Sequence, residues 1–137
     1  GNETREHYCR RWVTVWLLDK LFAAQQELPS PNVLVAAQRS SYYGTNEEYF
    51  CITLARSAHP TPGTNVSVTI GLAVNKSLRK VVRFIDDPKI TVRMVNQTCE
   101  RCPISDCDQR VAPPRIVERQ KFERKRQRVL LRLKELD

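Results

Sequence analysis

The sequence predicts an α+β fold: an antiparallel sheet of about four to five strands, with helices at both chain ends. Three observations carry this. Apolar residues recur at helical spacing near both ends of the chain, four segments alternate apolar and polar residues between them, and Pro, Gly, Asn and Asp clusters punctuate the segments. A length of 137 residues points to one domain, 1–137, with a core at 8–114 and a basic helix at 115–137. That length can bury a core without staples.

Residues 6–28 read as the first helix, with Tyr8, Trp12, Val15, Trp16 and Phe22 at helical spacing and Leu18 and Leu21 widening the stripe. Leu28-Pro29-Ser30-Pro31 ends it, because a residue before proline is pushed from helical angles. Residues 32–40 form a first strand and 49–57 a second. The polar turn between them makes a hairpin. His59-Pro60-Thr61-Pro62-Gly63 is a loop of breakers. Residues 65–74 form a third strand, placing Val66, Val68, Ile70 and Leu72 on one face. Ser77 caps a short helix over 78–84. Asp86-Asp87-Pro88 turns the chain into a fourth strand, 90–95, which leads to Cys99. A last helix runs from about Arg115 to Leu136. A PAS- or GAF-like module is one fold of this class.

The formal net charge is +8, which favours acidic partners such as nucleic acid or nucleotide-like ligands. No apolar run reaches membrane-spanning length, and the start lacks the basic and apolar regions of a secretory signal. Gly1 reads as an expression scar, with further sequence upstream. Five cysteines, an odd number, fit a reducing cytoplasm better than a disulfide framework. In that compartment the acceptor patterns at Asn65 and Asn96 carry no glycan.

Cys99, Cys102 and Cys107 form a C-x2-C-x4-C run, with Pro103 stiffening the turn. Thiolates at this spacing can converge on zinc or an iron–sulfur cluster, and such sites usually take four ligands. Cys9, beside Arg10 and Arg11, is the first choice for the fourth place. His7 and His59 are weaker nitrogen candidates. Cys51 sits in an apolar strand and reads as a core residue.

The whole run from Cys99, C-x2-C-x4-C-x2-R-x-A-P-P, ends at Pro114. It resembles the C-terminal domain of the short-chain fatty acyl transcriptional regulators, members of the XRE-type helix-turn-helix family. Weaker likenesses are Cys9-Arg10-Arg11-Trp12, Phe50-Cys51-Ile52-Thr53-Leu54-Ala55-Arg56 and Thr69-Ile70-Gly71-Leu72-Ala73, so the resemblance covers about residues 8–115. It implies a sensor and oligomerisation domain that follows a DNA-binding helix-turn-helix. It also implies an acyl-coenzyme A ligand and, in some members, a 4Fe-4S cluster. By that resemblance Cys9, Cys99, Cys102 and Cys107 are the metal-binding positions. Where the family commonly has Gly-Leu-Gly-Cys, this chain has Gly71-Leu72-Ala73-Val74. The loss of that cysteine leaves zinc, an incomplete cluster or no metal as open outcomes. The acyl-coenzyme A rests on resemblance alone, since no phosphate-cradling glycine loop is present.

Residues 115–137 carry nine cationic side chains against four acidic ones. Val129, Leu130, Leu133 and Leu136 form a short apolar stripe. The helix reads as a solvated face that docks on its own domain or pairs in a homodimer. The alternative function is a stand-alone nucleic-acid-binding module built on a cysteine-metal knuckle and this basic helix. Only two histidines and no hydrolase or transferase signature argue against an enzyme.

Overall fold

The computed structural model describes residues 5–29, 31–58, 61 and 63–136. Gly1 and His59 lie outside them. The elements are α1 (Val13–Ala24), β1 (Val33–Tyr42), β2 (Glu48–Ser57), β3 (Asn65–Ala73), α2 (Lys76–Val81), β4 (Thr91–Val95), a 3₁₀ turn at Cys99–Arg101 and α3 (Arg115–Glu135). This is the expected α+β arrangement. The chain gathers into two compact units: Arg10–Val95, and a second one joining the residues up to Cys9 to those from Asn96 onward. Among the described residues, no helix is long and apolar enough to cross a membrane.

In the first unit the sheet order is β3-β2-β1-β4. The hairpin β1–β2 and the pair β2–β3 are antiparallel, as alternation and turn chemistry predict. Gly44, at φ 74°, takes the left-handed turn position between β1 and β2. β4 departs from the antiparallel expectation and pairs parallel with β1. The reason is the crossover through α2, which carries the chain from one sheet edge to the other before β4 begins. The helix cap also differs from expectation. Asn75, not Ser77, accepts from the Leu78 N–H at 2.9 Å.

α1 is half the length predicted for 6–28. Tyr8 lies in an extended bridge and Trp12 is the extended N-cap. The buried stripe is Val13, Leu17 and Leu21, not the aromatic series; Tyr8 and Phe22 are exposed. Leu17 and Leu21 pack with Ala55, Leu34 and Ala36 on one face of the sheet. Polar pairs complete that seam. Thr14 meets Ser67 at 2.7 Å, and the Gln25 and Asn65 carboxamides exchange bonds of 2.9 and 3.1 Å. Gln38, fully buried, accepts from Trp16 Nε1 at 2.8 Å. It donates to the Arg11 carbonyl and to Ser40 Oγ, both at 3.0 Å. Both ends of this carboxamide are thus engaged, which is what burial of a polar side chain requires.

Candidate functional site

The second unit contains the cysteine run. Residues 7–9 and 97–99 meet in an antiparallel bridge, with Tyr8 opposite Thr98. The Cys9 N–H donates to the Gln97 carbonyl at 3.1 Å, and the Cys99 N–H to the His7 carbonyl at 2.9 Å. Side chains alternate faces along such a pair. Cys9 and Cys99 therefore share the face opposite Tyr8 and Thr98, as diagonal neighbours. The 3₁₀ turn then returns the chain, and the Cys102 N–H donates to the Cys99 carbonyl at 3.2 Å. Cys9, Cys99 and Cys102 are buried; Cys107 is half-buried.

Arg110 holds this loop in shape. Its Nη1 donates to the carbonyls of Cys99 (2.7 Å) and Ala112 (3.0 Å). Its Nη2 donates to those of Cys102 and Ile104, both at 2.8 Å. A guanidinium is suited to this because its donors form a rigid planar fork. The spacing of the motif places Arg110 but does not report its carbonyl partners. The signal was an arginine at fixed spacing after three cysteines.

The start of the chain is strapped to the same loop. Glu6 accepts from Arg101 Nε at 2.6 Å and from Thr98 Oγ1 at 2.8 Å. Glu100, 2% exposed, accepts from the His7 backbone N–H at 2.9 Å and pairs with His7 Nδ1 at 2.7 Å. Burial by itself raises the Glu100 carboxyl, but its hydrogen bonds, chiefly those from His7, outweigh that and hold it below the usual glutamate value. His7, a weaker ligand candidate, therefore has Nδ1 engaged by a carboxylate.

The donor chemistry of Cys9, Cys99, Cys102 and Cys107 suits a soft metal, and the backbone brings the first three to one loop. Among the described residues, however, no three Cys, His, Asp or Glu side chains stand together as a group that could hold a metal ion. A coordination shell is not preformed here; closing one asks the side chains to turn.

The first unit holds a different feature. A cavity of about 190 Å³ opens beside the start of α1, lined by Trp12, Val13, Thr14, Ser40, Tyr42, Cys51 and Thr69. Trp12 and Val13 border it at the helix start, and the small side chains of Ser40, Cys51 and Thr69 line it from the sheet. Burial pushes the Cys51 thiol up, with partial relief from a hydrogen bond to Ser40. Cys51 thus lines the cavity as a protonated thiol. No histidine, lysine or carboxylate is among the lining residues.

The third feature is α3, whose residues from Glu118 onward are exposed. Lys121, Arg124, Lys125 and Arg128 fall at helical spacing along one strip and border a common surface hollow. Comparison of the chain with protein-family models, curated proteins and solved structures gives no match.

Proposed function

We propose that this chain is the ligand-sensing and oligomerisation part of an XRE-type transcriptional regulator that responds to a short-chain acyl-coenzyme A. The cavity beside α1 carries the reading. At about 190 Å³ it is of the size that accepts a benzene-sized apolar group, which is the scale of a short acyl chain. Its walls mix Trp12, Val13 and Tyr42 with the hydroxyls of Ser40 and Thr69, a composition that binds an apolar group with a polar attachment. A protonated thiol with no base among the lining residues suits binding better than covalent catalysis. In this reading DNA is contacted through an upstream helix-turn-helix domain, in the cytoplasm. Zinc or a 4Fe-4S cluster, where present, would be held by Cys9, Cys99, Cys102 and Cys107, and would tie the start of the chain to the loop before α3.

The test is a thermal-shift series with coenzyme A and its acetyl, propionyl, butyryl and palmitoyl thioesters. A short acyl thioester present at about 100 times its Kd should add roughly 2.7 kcal/mol, more than free coenzyme A adds. Cys51→Trp, which fills the cavity, should remove the difference. A folded protein that no acyl thioester stabilises would exclude this reading.

The exposed cationic strip favours a second reading, nucleic-acid binding through α3. Four phosphate contacts predict a slope near about −3.6 for log K against log salt. Sequence-independent binding with that slope, weakened by Arg124→Glu and Arg128→Glu, would support it; absence of all binding at low salt would exclude it.

A further inference from the structure

The sheet has its aliphatic face on the side α1 does not cover. By register, Val35 lies opposite Leu54, Leu54 opposite Val68, and Ile52 opposite Ile70; Leu72 continues the row on β3. All six are exposed, Val68 and Ile70 by 67% and 62%. The same strands turn Thr53, Ser67 and Thr69 to the other face, which is the face that carries the α1 seam. A sheet in water normally covers its aliphatic face and wets its polar one. Here the polar face has the helix, and beyond buried Phe50 the aliphatic face has solvent. The segment around α2 covers one end of this face: Phe50 and Ile85 are buried there, Phe84 meets Phe50 edge-on at 6.2 Å, and Arg39 donates to Asp86.

We infer that the aliphatic face of β1–β2–β3 is a two-fold interface with a second copy of this chain. With Val33 and Val66 beside Arg56, the field offers on the order of 700 Å², close to the ~800 Å² that one partner contributes to a standard-size interface. It exceeds the ~300–600 Å² of the largest patch on a typical monomer. The middle of the field is free of charge, as the core of a homodimer interface is. Its charges sit at the ends. Arg56 is at one end; at the other, Arg39 is neutralised by Glu48 and by Asp86 at 3.0 Å. β3 adds a second reason. It is an edge strand of nine residues with no proline and no charged side chain, so it lacks the usual protections against edge pairing. A second copy packed on this face crowds the approach of another strand to that edge. Two sheets packed face to face, with strands roughly aligned, are a standard solution for such surfaces.

The inference deepens the oligomerisation half of the proposed function and stands on the sheet alone, so acyl-thioester binding and assembly succeed or fail in separate assays. The experiment is sedimentation equilibrium on the full chain from about 1 to about 100 μM. Wild type should be dimeric at the upper end. Ile70→Lys should raise the dimer Kd at least about 100-fold, the effect of burying an unpaired charge, while Leu133→Lys on α3 should leave it unchanged. Val68→Cys provides a gentler probe if the lysine variant misfolds: its labelling by a maleimide should slow as protein concentration rises. A monomeric wild type, or a dimer that survives Ile70→Lys and is lost in Leu133→Lys, overturns the inference. So does labelling of Val68→Cys that is independent of concentration.

Discussion

Replacing Arg110 should open the cysteine loop without unfolding the chain. The guanidinium donates to four carbonyls, of which those of Cys99 and Cys102 belong to buried residues. A hydrogen bond involving a charged group nets about 1.5–3 kcal/mol. Four bonds that share one donor group do not add fully, so we place the cost of Arg110→Ala at about 3–5 kcal/mol. Lysine keeps the charge but is a point donor that cannot fork, and Arg110→Lys should recover about half of that. Because the thiols of Cys99 and Cys102 are buried, their modification requires local opening. At about 1.4 kcal/mol per tenfold, a loss of about 3 kcal/mol speeds that modification by more than about 100-fold. The assay is pulsed alkylation with mass-spectrometric readout of each cysteine, with global unfolding followed separately by denaturant titration. If Cys99 and Cys102 in Arg110→Ala react within about threefold of the wild-type rate, the four bonds do not hold the loop. Charge-assisted hydrogen bonds of ordinary strength would then be the wrong explanation for its shape.

Gln38→Ala strands the Trp16 indole N–H and leaves a void, and should cost about 2–4 kcal/mol in denaturant unfolding. Adding Trp16→Phe should cost less than the two single changes summed, and a fully additive pair would count against the coupling. For Glu100 the folded carboxyl lies below the unfolded value, so its contribution is complete above the ordinary 4.5 and is lost as pH falls through the lower folded value. Stability measured against pH should therefore decline on acidification in wild type and decline less in Glu100→Gln; parallel curves would refute this. Protein prepared without oxygen should contain zinc, or iron with sulfide. Cys102→Ser should abolish that content and lower Tm, whereas Cys51→Ser should leave the content intact. A metal-free preparation with a neutral Cys102→Ser would make these cysteines ordinary thiols.

Local signals made the hairpin and β3 legible, since alternation, Gly44 and the loop of breakers all act within a few residues. The start of α1 was not, because residues 7–9 are drawn into a bridge with 97–99, a pairing that no local period reports. Trp12 and Tyr8 fit a helical spacing although neither lies within the helix. The direction of β4 was equally hidden, because period-two alternation is the same in parallel and antiparallel strands. In the cysteine run, spacing alone identified the thiols. The straps that bring its parts together, Glu6 to Arg101 and His7 to Glu100, join residues from opposite ends of the chain.

The face that α1 chooses follows from polar matching. Alternation assigns Val66, Val68, Ile70 and Leu72 to one side of β3 but does not say which side is covered. α1 brings Thr14 to its seam beside Leu17 and Leu21, with Gln25 as its C-cap, and these polar groups need partners once buried. Ser67, Asn65 and Ser57 supply them on the helix side; an aliphatic face could not. The two faces of one strand should thus separate folding from assembly. Thr53→Val removes a buried hydroxyl that meets Thr69 at 2.6 Å, and should lower stability by about 1 kcal/mol while leaving the oligomeric state alone. Ile70→Lys, on the opposite face, should do the reverse.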